Sequence, residues 1–339
     1  MRTMTLGRTG IVTTQTGFGC LPVQRRTVEE GVTLLRAAYE GGIRFYDTAR
    51  AYSDSEHKLG LALSDVRQDV VIATKTQSLE PDEIRRQLDT SLSELQTDYV
   101  DIYQLHNPKR IPHEDDPVYQ TLLDLKRQGL IRFIGCTNHM PDLMEDAIRS
   151  GLYDVAQFPL SCLSTDRELA IIDLCREYDV GLLAMKSLAG GLINHARVAA
   201  AFHNQFANVL PIWGIQHQHE LEEFLALDAQ PPQLDEAIWE EIHALRAELA
   251  EDFCRGCGYC LPCPADIPIP MAARMPQLLR RAPSRAYLTP HWQEGMARIQ
   301  DCRHCNACSS RCPYGHDVPG LLAKALIDYR QFQIDHPEI

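Results

Sequence analysis

Six polar side chains lie at, or just after, the ends of short apolar segments that are typical of buried β-strands. They are Asp47, Tyr52, Lys75, His106, Asn138 and Lys186. A phenol can give its proton to a carbonyl oxygen, a nearby ammonium lowers the pKa of that phenol, and a neutral imidazole can orient the oxygen. Any one of these residues could be a satisfied polar group at the rim of a barrel. Together, the carboxylate, phenol, amine and imidazole predict a proton-transfer site.

A second group of reactive side chains lies near the end of the chain. Eight of the twelve cysteines form two runs at spacings of three or four residues: Cys254, Cys257, Cys260 and Cys263, then Cys302, Cys305, Cys308 and Cys312. Dense, regular runs of this kind indicate metal ligation rather than disulfides. The two runs also begin similar segments, CRGCGYCLPCPADIPIP and CRHCNACSSRCPYGHDVPG, so we interpret the tail as an internal duplication.

The strands and helices that would position the first group of polar side chains alternate regularly along the chain. Eight strand-like segments are separated by amphipathic, helix-like stretches such as Val28–Glu40 and Asp82–Leu95. The strand-like segments are Thr16–Gly19, Arg44–Asp47, Val70–Lys75, Val100–His106, Phe133–Thr137, Val155–Pro159, Gly181–Lys186 and Val209–Trp213. Eight such units predict a closed parallel (β/α)8 TIM barrel, in which catalytic groups lie at the carboxyl ends of the strands. Residues Thr3–Ile11 are predicted to form a hairpin that covers the barrel's other end.

The chain therefore divides into two predicted domains. Residues 1–250 form the α/β barrel, and residues 251–339 form a small, mainly α-helical domain that carries the cysteine runs. We expect a helix over Leu234–Ala250 before the first run and a closing helix over Leu321–Phe332. Prolines in the stretch between the two runs, among them Pro270, Pro276, Pro283 and Pro290, leave room for one or two short helices.

Composition limits the classes of function. The chain has 339 residues, of which 45% are hydrophobic and 23% are charged, as in an ordinary globular protein. Its formal net charge of −13 argues against binding to nucleic acid or to an anionic membrane. The first residues, MRTMTLGRTG, lack the apolar core of a signal peptide, and no apolar run approaches the ~18 residues of a membrane span. We predict a cytoplasmic protein with neither a nucleic-acid nor a membrane partner.

The motifs around the strand ends resemble those of the aldo/keto reductase family. The similar segments are RFYDTARAYSDSEHKLG, VIATKT, DIYQLHN and IGCTNH, within a resemblance that covers roughly residues 3–227. The resemblance implies an oxidoreductase with a catalytic tetrad of Asp47, Tyr52, Lys75 and His106. It also implies that Thr137, Asn138 and Gln157 contact the carboxamide of a nicotinamide, although the family usually has serine at position 137.

The residues at the positions that bind the cofactor depart from the family pattern in two places. After the seventh barrel strand the family usually has an aromatic residue that stacks on the nicotinamide, whereas this chain has Met185 and Lys186. After the eighth strand, residues 214–220 contain neither Lys nor Arg to clamp the 2′-phosphate of NADPH, and Lys186 is the one nearby cation that could substitute. We therefore expect weak NADPH binding with little preference over NADH, and a flavin remains an alternative redox cofactor.

The cysteine tail resembles the two-cluster modules of bacterial ferredoxins. That resemblance implies two 4Fe–4S clusters in which the fourth cysteine of each run binds the other run's cluster. One cluster would take Cys254, Cys257, Cys260 and Cys312, and the other would take Cys302, Cys305, Cys308 and Cys263. Structural zinc is the alternative, although zinc ligands usually come as separated pairs of cysteines.

The two halves together predict an iron–sulfur oxidoreductase that acts on a small carbonyl or alcohol. A nicotinamide transfers two electrons as a hydride and each cluster transfers one, so we expect electrons to be exchanged with a nicotinamide, a flavin or a protein partner such as a ferredoxin or flavoprotein. Two alternatives stay open. The barrel could be an ordinary nicotinamide reductase with structural or redox-sensing clusters. The chain could also be an electron-transfer subunit of a larger complex, with the barrel mainly a binding scaffold.

Overall fold

Eight short parallel strands close into a barrel, in a computed structural model that describes residues 1–249, 253–281 and 284–337. The barrel strands follow one another in chain order, and the last pairs with the first. Two further strands precede them. The strands are β1 (Thr3–Thr5), β2 (Val12–Thr14), β3 (Gly17–Gly19), β4 (Phe45–Asp47), β5 (Val71–Thr76), β6 (Val100–His106), β7 (Ile131–Thr137), β8 (Val155–Pro159), β9 (Gly181–Met185) and β10 (Val209–Gly214). The predicted (β/α)8 barrel is confirmed.

Helices follow the barrel strands and then fill the C-terminal region. Those of the first part are α1 (Val28–Glu40), α2 (Ser55–Leu63), α3 (Pro81–Leu95), α4 (Pro117–Arg127), α5 (Pro141–Arg149), α6 (Asp166–Glu177), α7 (Ala196–Asn204), α8 (Gln218–Ala229) and α9 (Glu236–Leu249). Those of the tail are α10 (Ile269–Ala272), α11 (Met275–Arg281), α12 (Pro290–Ala297), α13 (Ala307–Ser310) and α14 (Val318–Asp335). No helix within the described ranges has the length and apolar character needed to span a membrane.

Local sequence signals explain where several helices begin. Thr27 before α1 and Thr165 before α6 each form a capping box with the glutamate three residues later. Prolines begin α3, α4 and α5, where the missing N–H of proline costs no helical hydrogen bond. Each helix then turns its apolar side inward; in α1, for example, Leu34 and Leu35 are buried.

The hairpin of β1 and β2 covers the amino end of the barrel. It extends to Thr14, beyond the predicted limit of Ile11, because the strand that returns pairs Val12–Thr14 with Thr3–Thr5. Leu6 and Ile11 pack with the apolar residues that fill the barrel interior. Gly7 has a φ of +48°, and a Cβ there would lie 2.4 Å from the backbone nitrogen of Gly181. Only glycine permits this close approach, which plugs that end of the barrel.

The described residues form two compact units. One contains residues 1–187 and 195–239, and the other contains residues 188–194 and the described residues from 240 onward. The predicted domain boundary at residue 250 stays a prediction, since residues 250–252 lie outside the described ranges. Helix α9 ends at Leu249, and the closing helix α14 is longer than the predicted Leu321–Phe332.

The second unit is mainly helical, as predicted. Its core contains Ile269, Met275, Leu279, Met296 and Leu322, and cysteines of both runs pack against this core. These contacts give the cysteine loops a fixed apolar support.

Candidate active site and cysteine loops

The strand register brings the predicted site residues to one end of the barrel. Lys75 in β5 is aligned with Gln104 in β6, His106 with Thr137 in β7, and Thr137 with Gln157 in β8. All of these residues lie toward the carboxyl ends of parallel strands, which meet at the same mouth of a closed barrel. The sequence prediction of a shared location is therefore supported by the pairing of the strands themselves.

Asp47 and Lys75 form a buried ion pair at this mouth. The Lys75 Nζ lies 2.7 Å from each carboxylate oxygen of Asp47, and it also donates to the Thr48 carbonyl oxygen at 2.6 Å. The side chains of Lys75 and Asp47 are only 1% and 4% exposed. Burial raises the pKa of Asp47, while Lys75 opposes that shift. Three close contacts at the lysine nitrogen hold this pair in place.

Tyr52 lies beside this pair, in the turn between β4 and α2. The Lys75 Nζ is 5.3 Å from the centre of the Tyr52 ring, which is a distance to the ring face and not a hydrogen bond to the hydroxyl. Burial, together with the nearby charge of Asp47, raises the pKa of Tyr52 above its usual value. The net shift of the Tyr52 pKa is upward, opposite to the lowering expected from a nearby ammonium, because burial and the charge of Asp47 dominate it.

His106 completes the predicted tetrad. Its ring centre lies 5.8 Å from that of Tyr52, in an edge-on arrangement. Burial and the positive charge of Lys75 lower the pKa of His106 to about 3. The imidazole is therefore neutral at physiological pH, and its Nδ1 is buried without a hydrogen-bond partner in the described structure. A neutral imidazole of this kind can donate or accept one hydrogen bond with a bound oxygen.

The residues predicted to hold a nicotinamide have protein partners of their own. Asn138 donates to the Pro108 carbonyl at 3.0 Å, Thr137 contacts the Met185 sulfur at 3.8 Å, and Gln157 donates to Asp47 at 3.3 Å. Lys186 follows β9 with a φ of +59°, an uncommon backbone conformation for a residue with a side chain. The structure thus places the four residues near the strand ends, with three of them held in place by hydrogen bonds or a sulfur contact.

Two further polar residues near the site, Gln104 and His139, were not among the residues predicted from the sequence. Gln104 bridges the site, since its Nε2 lies 2.8 Å from Gln157 Oε1 and 3.5 Å from Asp47 Oδ1. His139 is buried, and its pKa is lowered to about 3 by burial and by the charges of Lys186 and His106. Gln104 lies in DIYQLHN and His139 ends IGCTNH, so both belong to segments that the sequence singled out. Each is a polar residue in a segment that is otherwise suited to the core.

The first cysteine loop surrounds a recess of about 380 Å³. Its lining includes four cysteines from both runs, namely Cys254, Cys257, Cys260 and Cys312. Burial raises the pKa of Cys254, and the proximity of Cys312 contributes in the same direction. The backbone N–H of Gly256 donates to the Cys254 sulfur at 3.4 Å. The fourth cysteine of the second run therefore reaches the first loop.

The second cysteine loop surrounds another recess, of about 390 Å³. Five cysteines are in its lining: Cys260, Cys263, Cys302, Cys305 and Cys308. A 4Fe–4S cube takes four cysteine thiolates, and each recess offers at least four cysteines in the crossed arrangement. The donor set therefore fits two such cubes. Nowhere in the described ranges do three His, Cys, Asp or Glu side chains converge as the ligands of a single metal ion.

Comparison with known families divides the chain in the same way. The model of the aldo/keto reductase family matches residues 13–210, and that of a 4Fe-4S dicluster domain matches residues 253–317. Both expected resemblances are thereby confirmed, and they assign an oxidoreductase region and an iron–sulfur region to one chain.

Characterised relatives match only part of the chain. Methylglyoxal reductase DkgB of Escherichia coli O157:H7 is 32% identical over 199 residues, which is 54% of this chain and 73% of the relative. The NADH-specific methylglyoxal reductase of Escherichia coli (strain K12) is 28% identical over 226 residues, covering 57% of this chain and 69% of the relative. A relative from Glycine max is 28% identical over 211 residues, and the match spans 59% of its length.

Solved structures show the same fold. An aldo-keto reductase from Bacillus halodurans superposes with a TM-score of 0.64 at 21% identity, covering 72% of this chain and 96% of that chain. A thermostable aldo-keto reductase in complex with the inhibitor epalrestat gives a TM-score of 0.63 at 28% identity, covering 72% of this chain and all of the other.

The low pKa of His106 makes the free energy of unfolding depend on pH. The unfolded chain takes up a proton on this histidine below about pH 6.5, while the folded chain does so only near pH 3. Stability should therefore fall as the pH is lowered, by about 2 kcal/mol at pH 5 from His106 alone. Urea unfolding at pH 7 and pH 5 measures this loss, which should shrink by that amount in the His106→Gln variant. The exposed His219→Gln variant is the control. An unchanged pH dependence in His106→Gln would contradict the prediction.

Proposed function

Because the chain belongs to the aldo/keto reductase family, we propose that its barrel interconverts a small carbonyl compound and the corresponding alcohol. The observation that carries this proposal is the grouping of Tyr52, His106 and the buried Asp47–Lys75 pair at one mouth of the barrel. This grouping offers a proton and a hydrogen-bonding group to an oxygen atom, which is what reduction of a carbonyl requires.

Each side chain of the tetrad has a separate task in this proposal. The phenol of Tyr52 stays protonated because its pKa is raised by burial and by Asp47, so it is available to donate its proton to the substrate oxygen. The neutral His106 orients that oxygen with a hydrogen bond. Asp47 holds Lys75 in place, so that the positive charge of Lys75 stays near the tyrosine ring. Lys75 itself transfers no proton.

The nicotinamide would be held by residues on the neighbouring strands. Thr137, Asn138 and Gln157 are proposed to contact its carboxamide, and Lys186 is the nearest candidate for a phosphate contact. When bound, the nicotinamide supplies the hydride that completes the reduction. One of the relatives is named as NADH-specific, which supports the proposal that this chain too has no strong requirement for NADPH.

The cysteine loops are proposed to hold two 4Fe–4S clusters with crossed ligands. Cys254, Cys257, Cys260 and Cys312 would hold one cluster, and Cys302, Cys305, Cys308 and Cys263 would hold the other. The lining of the two recesses supports this division, since Cys312 lies in the first recess and Cys263 in the second. When bound, such clusters transfer single electrons.

Single electrons are proposed to enter or leave at the second loop. Cys305 is exposed, as are its neighbours Arg303 and His304, whereas Cys260 of the first loop is buried. A protein carrier such as a ferredoxin or flavoprotein could approach an exposed cluster closely. The alternative role, as an electron-transfer subunit whose barrel is a scaffold, is favoured by the absence of Lys and Arg from residues 214–220. Titration of the purified iron-containing protein with NADH and NADPH, followed by visible spectroscopy, separates the two roles.

Removing the Tyr52 hydroxyl tests the proposed proton donor. Tyr52→Phe keeps the ring and removes the proton, so the rate of carbonyl reduction should fall roughly 10²–10⁴-fold. Steady-state kinetics with a small aldehyde such as methylglyoxal provides the measurement. Tyr99→Phe, which loses only a long contact to Gln68 at 3.4 Å, serves as the matched control. Turnover at the wild-type rate in Tyr52→Phe would exclude this assignment.

The missing phosphate clamp predicts the choice of nicotinamide. A charged hydrogen bond to the 2′-phosphate contributes about 1.5–3 kcal/mol, so its absence should weaken NADPH binding about 10- to 150-fold. Calorimetry should then give similar dissociation constants for NADPH and NADH. In the Lys186→Met variant NADPH binding should weaken further only if Lys186 contacts the phosphate. Tight NADPH binding with strong discrimination against NADH would show that another cation replaces the clamp.

Crossed ligation predicts which cluster each fourth cysteine supports. Cys312→Ala should disturb the cluster of the Cys254 loop first, and Cys263→Ala should disturb that of the Cys302 loop. Iron analysis together with electron paramagnetic resonance of the two variants follows each cluster. The wild-type protein should contain about eight iron atoms per chain, as two four-iron cubes require. About four irons in the wild type, or loss of the same cluster in both variants, would refute the arrangement.

A further inference from the structure

Arg274 lies directly against the first cysteine loop. A Cβ built on Gly256, between Cys254 and Cys257, would lie 2.9 Å from the Arg274 Nη1 and 3.4 Å from its Cδ. Gly256 also has a φ of +67°, which a residue with a side chain rarely adopts. Glycine at this position therefore allows the guanidinium to lie on the loop backbone. The other end of the guanidinium donates to the Gly190 carbonyl, in the same structural unit.

The guanidinium of Arg274 is partly buried, and no carboxylate lies beside it in the described contacts. Burial lowers the pKa of this arginine, and the neighbouring groups that act in the opposite direction are Cys254 and Tyr287. Its Nε is buried without a hydrogen-bond partner among the described residues. Leaving a buried donor unpaired is costly. The arrangement is therefore suited to an ionic interaction between the guanidinium and a negative charge near Cys254.

We propose that Arg274 is a positioning residue for the iron–sulfur cluster of the Cys254 loop, where its positive charge stabilises the reduced form. This inference rests on the proposed cluster at Cys254, Cys257, Cys260 and Cys312. Reduction adds one negative charge to the cluster, and a fixed, partly buried positive charge against the loop attracts it. The Cys254 cluster should therefore be easier to reduce than it would be without Arg274.

The cations at the second loop are more exposed than Arg274. Arg303 lines its recess and Arg311 donates to the Pro262 carbonyl at 3.2 Å, but both residues are exposed, and water and salt screen an exposed charge. The two similar cysteine loops thus have different electrostatic surroundings. A difference in reduction potential between the clusters would direct an electron from the exposed Cys302 loop toward the Cys254 loop.

The test compares three variants of the full iron-containing protein. Arg274→Gln removes the charge, Arg274→Lys keeps a positive charge, and Arg280→Gln is the control, because Arg280 is exposed and paired with Asp328 at 2.6 Å. Redox titration followed by visible and electron paramagnetic resonance spectra measures each cluster, and the Cys312→Ala variant identifies the signal of the Cys254 loop. Iron content is measured in every sample.

We expect Arg274→Gln to lower the ratio of reduced to oxidised Cys254-loop cluster about tenfold at a fixed potential, which corresponds to about 59 mV for a one-electron couple. Arg274→Lys should recover most of this change, and Arg280→Gln should show none. If Arg274→Gln loses iron, Arg274→Met takes its place, and retention of iron by Arg274→Lys but by neither neutral variant would also support the charge effect.

Two outcomes overturn the inference. One is a wild-type potential in Arg274→Gln or Arg274→Met with full iron content. The other is an equal shift, or an equal loss of iron, in the neutral variants and Arg274→Lys, which would indicate a purely structural contact with Gly190 and Gly256. A wild-type protein that binds no cluster would instead contradict the proposed function itself.

Discussion

A carboxylate and an ammonium that are almost completely removed from water determine the character of the barrel mouth. Isolating such a pair from solvent is expensive, and it is tolerated only when the remaining hydrogen-bonding positions are filled. Here the Thr48 carbonyl completes the contacts of Lys75, while Gln104 and Gln157 approach the two oxygens of Asp47. The pair, the two amides and the strand register therefore depend on one another. Replacing either charged partner alone would leave a buried charge without compensation.

The same pair sets the protonation states of its neighbours. Lys75 is paired with Asp47 at close range, and the pKa of the Tyr52 phenol shifts upward rather than downward. The negative charge of Asp47 instead adds to burial in raising the tyrosine pKa. The pKa of His106 shifts in the other direction, because burial and the charge of Lys75 both lower it and keep the imidazole neutral. Tyr52 and His106 are thus both neutral in the resting site, which suits donation of a proton and a hydrogen bond to a neutral carbonyl.

The sequence was sufficient for the architecture because the signals behind it are local. Strand ends at Asp47 and His106 were located correctly, since apolar strands and the polar residues that end them differ sharply in composition. The direction of the Tyr52 pKa shift could not be obtained in this way, because it depends on how deeply the phenol is buried and on the nearby charge of Asp47. Gln104 was missed for a related reason. A polar residue within a strand signals a site only when the neighbouring strand, aligned in register, presents Gln157 and Asp47 to it.

The spacing of the cysteines in the tail predicts the ligands of the clusters but not their electrostatic surroundings. Regular intervals identify the metal-binding loops, but the intervals are nearly identical in both runs and say nothing of their surroundings. The fold makes the loops unequal, since Cys260 is buried and Cys305 is exposed, and the partly buried guanidinium of Arg274 lies against the first loop. A duplicated ligand pattern therefore yields two sites with different electrostatics. Since a hydride carries two electrons and a cluster carries one, two clusters of unequal potential can hold the pair of electrons in sequence, with the site nearer the fixed positive charge filled first.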